Sequence, residues 1–110
     1  MICETKRLIL TEREQDVTAA VQRAVGDPKD QCYAASEAVY HLMGGRLSGL
    51  TPVRGGGHWW LRRKDGSILD VTAAQYPDGF DYSVGKGGGF LTKAPSGRAA
   101  RIMLRAGETL

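Results

Sequence analysis

Two runs with strand character, HWWLRR (residues 58–63) and SILDVTA (67–73), are separated only by KDG. Alternating apolar and polar residues on either side of an Asp-Gly pair define an antiparallel hairpin. Its register decides which side chains share a sheet face. If Asp65-Gly66 forms a two-residue turn, Leu61 faces Asp70, and His58 and Asp70 point to opposite faces. If KDG forms a three-residue loop, Arg63 faces Ser67, Trp60 faces Asp70 and His58 faces Thr72. His58 and Asp70 are then diagonal neighbours about 7–8 Å apart at the backbone, within side-chain reach. Asp-Gly suits both turns. The longer loop is preferred because Gly66 then takes the left-handed last position.

Helical signals flank this hairpin. Thr11 and Glu14 read as a capping box, followed by Val17, Ala20, Val21, Ala24 and Val25 at helical spacing, with Gly26 and Pro28 as the stop. A second helix is expected from Asp30 as N-cap, through QCYAASEAVYHLM, to Gly44-Gly45. LTPV (50–53) reads as a short edge strand, because Pro52 cannot donate to a ladder. QYPDGFDYSVGKGGGF reads as a long ordered loop with a strand fragment, and Ser96 caps a last helix with Ala99, Ile102 and Met103 on one face. The expected architecture is one α+β domain over residues 1–110, with helices against one face of a small antiparallel sheet.

With 42% hydrophobic and 25% charged residues, the chain fits neither a disordered nor a membrane-spanning class. No apolar run approaches the roughly 18 residues a bilayer requires. MICETKRLIL is charged after three residues and makes a poor signal peptide. The expected location is the cytoplasm, with Cys3 and Cys32 as reduced thiols. The net charge of +3 is uneven: from Lys86 onward, Lys86, Lys93, Arg98, Arg101 and Arg105 face one acid, Glu108. Such a segment is ordinarily a solvated helix face, and it could also attract an anionic partner such as nucleic acid.

A histidine–aspartate pair gains chemical meaning beside a nucleophile, and Cys32 is the candidate. Early in a helix its sulfur lies near unpaired N–H groups and the positive end of the macrodipole, which lower a thiol pKa and offer an oxyanion hole. Free cysteine is more often a buried small hydrophobe. The order of the three residues carries more information than any one alone. "QCYAASEAVYHLMGG", "GGGHWWL" and "LDVT" together resemble the transglutaminase-like branch of the papain-like cysteine enzymes. In that branch a cysteine opens the central helix, a histidine opens a following strand and an aspartate closes the next. The resemblance covers residues 30–73. It implies Cys32 as nucleophile, His58 as general base and acid, and Asp70 as the residue that orients the imidazole. Val71 stands where the family has proline. Gly26 stands where papain-type enzymes carry an oxyanion-hole glutamine, which leaves Gln31 as the nearest substitute. The same region also resembles small uncharacterised proteins of bacteria and their phages.

Of the remaining candidates, Trp59 and Trp60 alternate faces, so one belongs to the core and the other to a cleft. Gly57 and its neighbours Gly55 and Gly56, like Gly87–Gly89, offer bare backbone to a substrate. His41 lies over two helical turns past Cys32, too far to be its base, and reads as a helix C-terminal cation or surface group. Two histidines and two cysteines without metal-ligand spacing do not suggest a metal. Two functions follow. One is a thiol hydrolase or acyltransferase on an amide or peptide-like bond, needing no cofactor. The other is a non-catalytic binding or regulatory module on the same fold, contacting a host protein or nucleic acid.

Overall fold

The computed structural model describes residues 2–110, with side chains from Glu12 onward. Among these are three α-helices, α1 (Ile2–Val25), α2 (Cys32–Leu42) and α3 (Gly97–Gly107). They accompany four short strands, β1 (Thr51–Gly55), β2 (His58–Arg62), β3 (Ile68–Leu69) and β4 (Lys86–Gly87). The strands form one antiparallel sheet in the order β3-β2-β1-β4. This is the α+β architecture expected, and no helix among the described residues is long and apolar enough to cross a membrane.

α2 is the hub. It packs on β2 with one face and receives α1 and α3 on the others. Ala34, Ala35 and Ala38 are buried, and their small side chains let the helix approach its neighbours closely. The core is completed by Val17, Ala20 and Val21 of α1, Leu61 and Leu69 of the sheet, and Ala99, Ile102 and Ala106 of α3. Each buried valine or leucine contributes about 1.5–3 kcal/mol. Ser96 caps α3 as expected, its hydroxyl accepting from the Ala99 N–H at 3.2 Å.

Four local expectations are corrected. α1 starts at Ile2, not at Thr11, because CETKRLIL contains no glycine or proline to stop a helix. Glu14 therefore lies mid-helix and pairs with Arg63 instead of closing a capping box, at 2.6 Å. Asp30 is not the N-cap of α2: it sits at φ 59, Gln31 takes the cap position and Cys32 is the first helical residue. β1 is an interior strand, not an edge. Pro52 is tolerated there because its carbonyl accepts from Gly88 at 3.0 Å, so its missing N–H faces the two-residue β4 and not the β2 ladder. The run SILDVTA pairs over Ile68–Leu69 alone, since the Asp70 side chain accepts from the Thr72 N–H at 3.2 Å and turns the chain out of the sheet.

The two sheet faces differ. Leu61 and Trp59 point toward α2. Trp60 points the other way and is covered by the irregular segment 76–85, through edge contacts with Phe80 and Tyr82. This second layer is possible only because residue 85 is glycine: a Cβ there would collide with the Trp60 ring and with Val53. The sheet is thus enclosed by helices on one side and by an aromatic loop on the other.

Candidate active site

The hairpin adopts the three-residue loop. Leu61 pairs with Leu69 and Arg62 with Ile68, which places Arg63 opposite Ser67 and Trp60 opposite Asp70. Arg63 N–H donates to the Ser67 carbonyl at 2.8 Å, and Gly66 takes φ 89, the left-handed conformation this loop requires. The Asp65 carboxylate accepts from the Ser67 N–H and hydroxyl, fixing the turn, and both bonds hold its pKa below the usual range. On the far side, Arg63 Nη1 donates to the Ile68 carbonyl at 2.6 Å while Nε and Nη2 grip Glu14. α1 thus clamps the hairpin.

His58 and Asp70 therefore share a face, and they meet. His58 Nε2 donates to Asp70 Oδ2 at 2.7 Å, with side-chain exposures of 0% and 3%. Trp60 stacks on the imidazole with centroids 5.6 Å apart, and Tyr76 and Phe80 approach it at 4.8 Å each. Three aromatic rings exclude water from the dyad. Tyr82 adds a second donor, its hydroxyl giving a 2.7 Å bond to the same Asp70 oxygen.

Cys32, half-buried as the first residue of α2, lies near this pair. With Nε2 committed to Asp70, Nδ1 is the ring nitrogen left free of that pair. Nδ1 is buried and has no hydrogen-bond partner among the described residues, yet Cys32 and His58 lie close enough for each to shift the other's pKa. Such contacts commonly tighten only once substrate is bound. Burial pushes the thiol up. The His58 ring, the backbone amides of Trp59 and Tyr33 and the imidazolium charge outweigh it, and the net direction is down. Burial pulls the imidazole down, but the hydrogen bond and charge of Asp70, with the nearby Cys32, raise it to about 9. Both shifts favour a thiolate–imidazolium pair. Tyr82 is pushed up to about 12 by burial and by its bond to the Asp70 carboxylate, so it remains a donor.

The supporting candidates are placed as follows. Gln31 is the N-cap of α2 but makes no side-chain cap bond. It borders a groove with Arg98, Arg101 and Arg105. Gly57 and Gly56, both at positive φ, form the two-residue turn joining β1 to β2. Trp59 is half-buried, edge-on to Tyr33 at 4.9 Å and stacked on Phe90. Trp60, expected among the substrate contacts, is 2% exposed and walls the imidazole instead. Gly55 accommodates the chain's own Val84 carbonyl where a Cβ would stand. His41 lies in the last turn of α2 beside Tyr40, with Nε2 buried and without a partner among the described residues. The side chain of Cys3 lies outside the described residues. Among those described, no three His, Cys, Asp or Glu side chains cluster as metal ligands.

No family model, curated protein or solved structure matches this chain. The site has to be read from its own chemistry.

Two groups escaped the sequence reading. Tyr82 belongs to a loop without periodicity, and only the aromatic richness of YPDGFDY hinted at a packed layer. Glu37 is fully buried on α2, where Oε2 accepts from the Ser96 N–H at 3.0 Å and Oε1 has no partner among the described residues. It joins α2 to the start of α3, and a single glutamate between alanine and serine carries no signal of burial.

Proposed function

We propose that this domain is a cysteine hydrolase or acyltransferase with a papain-like or transglutaminase-like core, acting on an amide or peptide-like bond. The observation that carries this reading is the water-excluded His58, bonded to Asp70 and lying near Cys32, with thiol and imidazole shifted toward the charged pair. A histidine serving only the core would not need a buried carboxylate on one nitrogen and a depressed thiol beside the other.

The Cys32 thiolate attacks the carbonyl carbon and forms a C–S bond, moving the π electrons onto oxygen. Backbone N–H groups at the start of α2 are the available donors to that oxyanion. As the tetrahedral centre collapses, the C–N bond breaks and the His58 imidazolium gives its Nδ1 proton to the departing amine. Water, or an acceptor amine, then loses a proton to His58 as it attacks the thioester. The C–S bond breaks and the thiolate returns. Asp70 keeps the ring oriented and stabilises its cationic form throughout.

Alkylation by iodoacetamide at about pH 6 tests this, since an ordinary thiol of pKa about 8.5 is almost wholly protonated there. Cys32 should be carboxamidomethylated at least about tenfold faster than Cys3, and His58→Ala should abolish the advantage. p-Nitrophenyl acetate should give a burst of nitrophenolate with the acetyl group on Cys32, absent from Cys32→Ser. Equal, slow labelling of both cysteines in a folded protein would overturn the reading.

A second reading, a non-catalytic module binding an anionic partner, rests on Arg98, Arg101 and Arg105, which lie exposed along one side of α3. It would stand alone if Cys32 proved inert.

A further inference from the structure

We propose that the cleft at the β1–β2 turn binds a negatively charged group of the substrate, held between Arg54 and Lys86 beside the bond that Cys32 attacks. This rests on the catalytic reading and gives it a substrate class: an acyl compound bearing a carboxylate or phosphate near its scissile bond.

The cleft, of about 440 Å³, runs from the Gly55–Gly57 turn past Trp59 to Val84, with Arg54 and Lys86 on its rim. Its lining includes His58 and the adjoining Trp59. The Trp59 backbone amide is also one of the groups bordering the Cys32 sulfur. Among the described residues no carboxylate lines it.

Arg54 and Lys86 stand directly opposite each other in the β1–β4 ladder. Like charges in that position repel, and among the described residues neither has a carboxylate within ion-pair distance. A lysine on an edge strand is accounted for by protection of the edge from unwanted pairing. Arg54 is not, because β1 is flanked on both sides. Its guanidinium is drawn over the Trp59 ring, 5.9 Å from the centroid, which holds it at the cleft. Direct partners in a ladder point to the same face, so both cations lie on the Trp59 side of the sheet, the side on which α2 packs. An anion between them would relieve the repulsion and accept the guanidinium's paired donors.

The test compares alkylation of Cys32 in the full chain by N-chloroacetyl-aspartate and by the uncharged N-chloroacetyl-asparagine amide, reagents of nearly equal size. The wild-type protein should prefer the anionic reagent about tenfold at low salt, with the preference shrinking as ionic strength rises. Arg54→Gln and Lys86→Gln should each cut the preference about threefold, and the double variant should remove it, while the rate with the neutral reagent stays within about twofold. Attraction to the His58 imidazolium is common to all these proteins and cancels. Arg46→Gln, on the exposed turn after α2, should change nothing. Fast reaction with both reagents and no charge preference, or a preference that survives in the double variant, would overturn the subsite and leave the catalytic reading intact. Slow reaction with both would remove the two together.

Discussion

His58 and Tyr82 share one acceptor, Oδ2 of Asp70, each at 2.7 Å. A carboxylate oxygen has lone pairs for both donors, but the charge it presents to one is reduced by the other. The tyrosine thus moderates how strongly Asp70 stabilises the imidazolium. Its pKa of about 12 keeps it protonated throughout the range in which His58 titrates.

Tyr82→Phe removes that donor with little change in volume. Asp70 then stabilises the His58 cation more strongly, so the His58 pKa rises above about 9 and the thiolate–imidazolium pair persists to higher pH. The alkaline limb of the pH profile for Cys32 alkylation should move upward. Stability should fall by about 1.5 kcal/mol, the usual worth of a hydrogen bond to a charged group. An unchanged pH profile would show that the hydroxyl anchors the loop and does not act through Asp70.

Asp70→Asn should preserve the fold and remove the main group that raises His58. A serine triad loses about 10⁴ in rate on this change. The loss here should be smaller, since the thiolate–imidazolium pair can form before substrate arrives. The change also has a signature in stability. The His58 pKa is raised, from 6.5 to about 9, so its contribution is complete below about pH 6.5 and is lost as pH rises through about 9. The thiol, lowered from 9.0, works in the opposite sense: its contribution is present above that value and is lost as pH falls. In a Cys32→Ala background only the histidine side remains. Melting temperature should then fall between about pH 6 and 9, and adding Asp70→Asn should flatten that slope.

Gly85→Ala would place a methyl against the Trp60 ring and Val53. Overpacking of this kind costs about 1–3 kcal/mol, and here the compliant side is the 76–85 segment. His58 should become accessible, and its buried pair with Asp70 should weaken. Thermal melts and the pH dependence of the His58 ring proton shifts would detect both effects. An unaltered imidazole pKa with lowered stability would show that the aromatic layer is structural alone.

Arg63 joins Glu14 of α1 to the hairpin by a two-pronged ion pair and a 2.6 Å bond to the Ile68 carbonyl. Both side chains are partly exposed, so Glu14→Gln should cost no more than about 1 kcal/mol. Arg63→Ala should cost more, because the hairpin bond is lost as well. Denaturant midpoints of the two variants would rank them, and the reverse order would place the pair's value in α1 alone.

What could be read from sequence was carried by residues a few positions apart: the Ser96 cap, the end of α1 at Gly26, and the two hairpin registers permitted by KDG. Turn chemistry and side-chain alternation act locally, so they brought His58 and Asp70 within reach but left two registers open. The tertiary structure chose between these through Gly66, the Arg63 clamp and burial of Leu61 with Leu69 in one core. It also decided the features with no local signature. α1 begins early because nothing stops it, and Pro52 is interior because β4 is short. The fourth group at the site arrives by packing alone. Asp70 is twelve residues from both His58 and Tyr82. The first separation spans a hairpin whose register alternation dictates. The second spans an irregular segment whose path is set only where its aromatic rings meet Trp60, and no spacing rule reaches that far.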